Sequence, residues 1–217
     1  MASRIISWNI RQGGGRRVEN VCEVLADLRP DIVTLQEYRL NKAGEQISQH
    51  LKKFGLHHQY SAETEQAKDN TIFIASRFPM QAGNFMGAEA AANIIEANIE
   101  LPDQELILLA THFPQKKAQL PLFNALHDDS EGSLKETTVL IGDLNCGIPF
   151  EDSDSKTFYA TGQFQGLLAA GWIDAWRKRN EQAREFSWQS VRTGNRFRYD
   201  HCLVSKQANR KINKIEY

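Results

Sequence analysis

Six polar residues of this chain stand where chemistry could be done: Asn9, Glu37, His112, Asp143, Asn145 and Asp200. Asn9 and Glu37 each follow a run that reads as a β-strand. His112 ends such a run, Asp143 and Asn145 follow another, and Asp200 interrupts the last. In open α/β sheets, ligands bind beyond strand ends, where loops converge. Separated acidic and amide groups of this kind suit Mg²⁺ or Mn²⁺, hard cations that take oxygen ligands; Mg²⁺ also keeps several waters. A cation held there neutralises charge on a phosphate and activates water. His112 could then give a hydrogen bond or a proton to a phosphate or leaving group.

Each residue also has a plainer explanation. Asn9 can cap the loop Arg11-Gln12-Gly13-Gly14-Gly15-Arg16-Arg17, and Glu37 can pair with Arg39. His112, before Phe113-Pro114, can be a packed histidine. Asp143, in Gly142-Asp143-Leu144-Asn145, can be a turn residue, because Gly, Asp and Asn favour turns. Taken one at a time, the structural explanation is the better one. Their joint recurrence at strand ends favours the chemical one.

The elements that must carry them are legible from periodicity. Residues 4–8 alternate and are rich in Ile, as a strand would be. Val18, Val21, Cys22, Leu25 and Leu28 repeat at helical spacing, and Pro30 stops that helix by forcing Arg29 off helical torsions. Residues 31–35 read as a short buried strand. Ile47, Leu51 and Phe54 mark a second helix ended by Gly55. Residues 71–75, 94–100, 106–111, 138–141 and 197–204 read as strands. Residues 115–127 and 158–170 read as helices, the second closed by Gly171. Interspersed strands and helices predict a layered α/β domain with mixed sheets.

Bulk properties set the frame. The 217 residues are enough for one large domain, and 41% hydrophobic and 24% charged residues are the mix of a soluble globular protein. No apolar run is long enough to span a bilayer, and the start lacks a signal-peptide core, so a cytoplasmic protein is expected. Cys22, Cys146 and Cys202 fit neither a disulfide framework nor zinc-ligand spacing. Net charge is −1, but the segment 177–217 holds 11 Lys/Arg against 4 Asp/Glu, a local excess of +7. That asymmetry suits either a polyanion partner or a solvated basic edge.

The order of motifs is the sharper signal. Ser7-Trp8-Asn9-Ile10, Leu35-Gln36-Glu37, Ala75-Ser76-Arg77-Phe78-Pro79, Ala110-Thr111-His112-Phe113-Pro114 and Ile141-Gly142-Asp143-Leu144-Asn145 succeed one another. Phe186-Ser187-Trp188 and Arg198-Tyr199-Asp200-His201 come after them. Over nearly its whole length the chain resembles the endonuclease/exonuclease/phosphatase superfamily, which includes deoxyribonuclease-I-like nucleases, AP endonucleases, sphingomyelinases and inositol phosphate phosphatases. The resemblance implies a four-layer sandwich of two mixed β-sheets with helices outside. It implies Glu37 as the principal Mg²⁺ ligand, with Asn9 beside metal and phosphate. Asp143 would position the attacking water, Asn145 would hold water or phosphate, and His112 would match the phosphate-contacting histidine of the deoxyribonuclease and sphingomyelinase branches. AP endonucleases differ at that histidine.

The departure from the family pattern is at the C-terminal end. Members finish on a Ser-Asp-His motif in a core strand. Arg198-Tyr199-Asp200-His201 instead matches the preceding family motif, whose Asp orients the terminal histidine. The family needs roughly a few tens more residues after Ser205, where this chain has Lys206 to Tyr217. A single domain, 1–217, lacking its last core strand is therefore expected. It would have Asp200 without its histidine, weakened hydrolysis, and an unpaired sheet edge open to self-association. His201, adjacent to Asp200 on a strand, should point to the opposite face. The expected activity is Mg²⁺- or Mn²⁺-dependent phosphodiester hydrolysis with nucleic acid as the leading substrate. The alternatives are a catalytically impaired phosphate- or nucleic-acid-binding domain, or a lipid or inositol phosphate phosphatase.

Overall fold

The structure is a computed structural model, described for residues 3–85, 93–155 and 158–217. The chain divides into two compact units, Met1–His112 and Phe113–Tyr217. It is of the α/β class, with mixed sheets flanked by helices.

The first unit runs β1 (Ile5–Asn9), α1 (Val18–Leu28), β2 (Ile32–Tyr38), α2 (Lys42–Lys53), β3 (His58–Ser61), β4 (Thr71–Ser76), β5 (Met80–Ala82), β6 (Ile94–Leu101) and β7 (Gln104–His112). One sheet has the order β1-β2-β4-β3, with β1 parallel to β2 and the other pairs antiparallel. β5, β6 and β7 pair antiparallel in that order. β2 and β4 pack on β6 and β7, so two sheets lie face to face. The outer face of the four-stranded sheet is covered by helices: Val33, Leu35, Phe73 and Ala75 share a core with Val21 and Leu25 of α1 and Ile47 and Leu51 of α2. Alternation along the strands puts Ile32, Thr34, Ile72 and Ile74 on the inner face, and all four are buried.

Local signals explain the boundaries. Arg29, before Pro30, takes the left-handed conformation (φ 47°) and ends α1. Asn41 opens α2 by accepting from the backbone N–H groups of Ala43 and Gly44 at 3.0 and 3.2 Å, a cap typically worth about 1 kcal/mol. Among the described residues β1 pairs with β2 alone. All five of its residues, Ile5, Ile6 and Trp8 included, are only half-buried.

The second unit runs α3 (Leu120–Ser133), β8 (Thr138–Asp143), α4 (Thr161–Ala170), β9 (Ile173–Asp174), α5 (Ala175–Arg179), β10 (Trp188–Gln189), β11 (Arg196–Phe197), β12 (Asp200–Val204) and α6 (Lys206–Asn209). β12 lies antiparallel between β8 and the short β9. α3 and α4 pack together, and Trp172 Nε1 donates to Ser130 Oγ at 2.9 Å. The strand expected over 197–204 is two pieces: Arg196–Phe197 belongs to the β10–β11 hairpin, and β12 starts at Asp200. The helix expected over 115–127 is a 3₁₀ turn, Lys116–Gln119, continued by α3. The helix expected over 158–170 is α4, from Thr161; residues 156–157 just before it lie outside the described residues.

Candidate active site

Glu37 is the centre of the constellation in the first unit. It is not beyond β2 but inside it, where the register with β4 shifts between Leu35 and Tyr38. Its φ is 54°, a conformation that costs an ordinary L-residue energy and that clusters at functional positions. A run of positive φ from Arg11 to Gly15 brings the glycine loop back over the strand. There the N–H of Gly13 donates to the Glu37 carbonyl at 2.7 Å. A Cβ at Gly13, whose φ is 71°, would meet the Arg39 side chain at 3.1 Å.

The Glu37 carboxylate accepts three hydrogen bonds, all from neutral groups. Asn9 Nδ2 reaches Oε1 at 3.1 Å, the Gln12 backbone N–H reaches Oε2 at 2.8 Å, and Asn70 Nδ2 reaches Oε2 at 3.3 Å. Among the described residues no Lys, Arg or His pairs with it. The pairing with Arg39 weighed above does not occur: Arg39 Nε donates to Asn70 Oδ1 at 2.8 Å, which orients the amide toward Glu37. Asn9 also caps the glycine loop, its Oδ1 accepting from the Arg11 N–H at 3.0 Å. His112 is the last residue of β7, half-buried, with its N–H on the Asn93 carbonyl at 2.9 Å.

In the second unit, Asp143 ends β8 and Asp200 begins β12, directly opposite each other in the antiparallel register. Residues so paired project to one face, and like charges there are destabilising. The same register sets His201 against Gly142, on the other face. His201 is 2% exposed, lies 4.7 Å from the Phe164 ring of α4, and its Nε2 is 2.8 Å from the Cys146 carbonyl. It is a core residue. Asn145, left-handed at φ 45°, places its N–H on Asp143 Oδ1 at 2.9 Å and its Nδ2 on the Phe113 carbonyl at 2.8 Å. Asp143 is thus a turn residue and, with Asp200 beside it, also a candidate for chemistry.

Sequence reasoning missed three groups. Asn70 precedes β4 with no motif around it, and the Gln12 contribution is a backbone N–H that no side-chain pattern reveals. Tyr199 packs beside Asp143: burial first, then the Asp143 charge, pushes its phenol up to about 12. Part of the basic excess of 177–217 is spent internally. Arg184 and Arg196 pair with Asp154, Arg177 and Arg198 with Asp152, and Arg179 donates to the Asn209 side chain and the Ile212 carbonyl.

Asp152 and Asp174 form a second acidic group, buried around Arg198. Arg198 Nε donates to Asp152 Oδ1 at 2.8 Å and Nη2 to Asp174 Oδ2 at 2.7 Å. Asp174 Oδ1 also caps α5 by accepting from the Arg177 N–H at 3.0 Å. Burial raises the Asp174 carboxyl, but neighbouring His201 and Arg198 outweigh it and hold it well below the usual range. Asp152 is lowered in the same way, against its burial, by His201 and Arg198.

Residues 6–212 match the profile of the Endonuclease/Exonuclease/phosphatase family. The chain belongs to that family and is a hydrolytic enzyme of the nuclease/phosphatase type. Its fold is similar to that of an AP endonuclease from Archaeoglobus fulgidus (TM-score 0.79, 18% identity, 97% of this chain and 89% of that one). It is also similar to a Neisseria 3′-phosphatase, NExo, bound to a product DNA hairpin (TM-score 0.74, 21% identity, 96% and 89%). A third likeness is the 3′-5′ exonuclease NExo of Neisseria meningitidis (TM-score 0.72, 22% identity, 94% and 88%). At these identities the likeness establishes the fold. No curated protein sequence matches the chain. No helix among the described residues is long and apolar enough to cross a membrane.

Proposed function

We propose that the chain hydrolyses phosphoester bonds of nucleic acid with the help of Mg²⁺ or Mn²⁺, DNA 3′ ends being the first substrate to try. The observation that carries this reading is the Glu37 carboxylate. It is fixed by three neutral donors, and no cation among the described residues compensates its charge. Among the described residues there is no cluster of three His, Cys, Asp or Glu, so the fit rests on the Glu37 carboxylate with waters completing the shell. That hard-oxygen set suits Mg²⁺, which usually takes one or two carboxylates and keeps its waters. Glu37 would be the ligand, with Asn9 beside it. A cation there supplies charge neutralisation at the phosphate and a more acidic water.

The remaining roles belong to this chain's own groups. Asn9, Gln12 and Asn70 hold Glu37 in one orientation. His112 hydrogen-bonds a phosphate oxygen. Asp143 orients the attacking water and takes its proton. Asn145 keeps Asp143 in place and contacts water or phosphate, and Asp200 on the adjacent strand adds a second carboxylate to the same face. DNA is favoured by the two Neisseria structures, one of them on a DNA hairpin. The test is hydrolysis of a 3′-phosphorylated DNA hairpin and of a duplex carrying an abasic site, with Mg²⁺ and with EDTA. Equal rates in EDTA would reject the metal. Inactivity on both DNAs, with release of phosphate from an inositol or lipid phosphate, would reject the substrate.

A second reading is a domain that binds nucleic acid and cleaves it slowly. It is favoured by His201, which is committed to the core and so cannot act as acid or base beside Asp200. Retention of a DNA hairpin on this chain at Mg²⁺ concentrations that give no cleavage supports it. Weak self-association through the β1 edge, which among the described residues has no strand beyond it, is part of the same reading. Sedimentation velocity tests it.

A further inference from the structure

A concave site lies in the first unit at the opposite end of β2 from Glu37. It is a cavity of about 210 Å³ between the C-terminal ends of α1 and α2. Asp31 precedes β2 at that end, six positions from Glu37 along the strand, which separates the two by roughly 20 Å. The floor is apolar: Leu25, Pro30, Leu51, Phe54 and Leu56. An apolar cavity of roughly 150 Å³ is enough to take up benzene, so this one has room for an aromatic ring and a few atoms more.

The rim is cationic and carries nitrogen atoms without partners. Arg77 lies across Gly55, with its Nη1 only 2.6 Å from where a Cβ of that residue would stand, so the glycine makes room for the guanidinium. Asp31 occupies Arg77 Nε at 3.0 Å, which leaves the Nη1–Nη2 end of the fork available. Arg29, held left-handed at the end of α1, projects its exposed side chain at the same rim. His50 also lines the cavity, and its Nε2 is buried without a hydrogen-bond partner. A buried polar atom without a partner is costly, and a ligand oxygen would satisfy it. Two guanidinium groups over an apolar floor match a planar carboxylate attached to a ring, because the guanidinium end presents two parallel N–H groups to two oxygens.

We propose that this cavity is a binding site for a small aryl carboxylate. The ring occupies the Leu25–Leu51–Leu56 floor, the carboxylate meets Arg77 and Arg29, and one ligand oxygen reaches His50 Nε2. The site is independent of the phosphoester chemistry assigned to Glu37.

Isothermal titration and ligand-observed NMR with indole-3-acetate and 3-phenylpropionate, beside their primary amides, test the proposal. The acids should bind and the amides should bind at least about tenfold more weakly, the difference expected of one lost charge-assisted hydrogen-bonded pair. Arg77→Gln and Arg29→Gln should each weaken the acids and leave the amides unchanged. Ala26→Trp, on the cavity-facing side of α1, should abolish binding of both with an unchanged melting temperature. Glu37→Gln should leave binding as it is. Acids and amides binding alike, no binding by the wild-type chain, or binding retained in Ala26→Trp would overturn the proposal.

Discussion

Glu37 and Asp174 are both carboxylates held by several donors, yet the two surroundings do opposite things with the charge. Glu37 receives two side-chain amides and one backbone N–H. These fix its position and leave its full charge to attract something else. Asp174 and its companion Asp152 receive guanidinium groups, from Arg198 to both and from Arg177 to Asp152. Two carboxylates against two guanidiniums leave almost nothing for a ligand. A carboxylate with neutral donors is a site for a cation; one with cationic donors is a strut. The distinction matters because both are acidic residues held by several hydrogen-bond donors.

The largest effect should come from removing the charge at the first and leaving its shape. Glu37→Gln should lower Mg²⁺-dependent phosphoester hydrolysis by about 10²–10³-fold, the range seen when a group aimed at transition-state charge is lost. The melting temperature should be nearly unchanged. Mn²⁺ binding followed by electron paramagnetic resonance should fall with it, and binding equal to wild type would remove Glu37 from the metal site.

At the strut the expected loss is in stability instead. Arg198→Ala leaves two buried carboxylates uncompensated and should cost about 3–5 kcal/mol, as removal of one member of a buried pair does. Urea denaturation measures it. Arg198 is 1% exposed, so a loss below about 1 kcal/mol, the value for an exposed pair, would mean that the network is not the strut described.

The acid limb of the stability curve sharpens the same contrast. Asp152 and Asp174 are lowered in the fold, so the native state binds fewer protons than the unfolded chain. Their contribution is complete above the unfolded carboxylate value, about 3.9. It is lost as pH falls below that value toward their folded values. Denaturation midpoints should be flat from pH 7 to about 5 and fall steeply below about 4. Asp174→Asn should flatten that fall. An acid limb that Asp174→Asn leaves unchanged would assign the titration elsewhere.

The smallest effect should be at the donors around Glu37. Asn70→Ala removes one amide and its link to Arg39, and should weaken Mn²⁺ binding by about 10–100-fold, the range for groups that orient a metal ligand. Asn70→Asp should instead strengthen it, by adding a second carboxylate. Identical affinities in both variants would show that Asn70 touches Glu37 without orienting it.

Much of this arrangement is legible in the residues alone. The period-two and helical patterns place α1, β4, β6 and β7 within a few residues. Strand alternation puts His201 on the face away from Asp200, because neighbouring side chains on a strand alternate whatever surrounds them. The glycine loop is recognisable, but its left-handed run and the N–H it offers Glu37 are not, since a backbone donor has no residue signature. The basic excess after Arg177 reads equally well as a polyanion surface and as a solvated edge. The fold uses its arginines chiefly as internal partners for Asp152, Asp154 and Asp174.

The sequence by itself determined the family, most of the longer strands and the identity of the polar residues at or near their ends. Those depend on local periodicity and on motifs whose members are neighbours in the chain. Only the tertiary structure decided which carboxylates remain available to a cation. Asn9 and Asn70 lie 28 and 33 residues from Glu37. Arg198 lies 46 and 24 residues from Asp152 and Asp174. The charge state of a site depends on what the fold brings within hydrogen-bond reach, and electrostatic partners at such separations leave no periodic trace in the sequence.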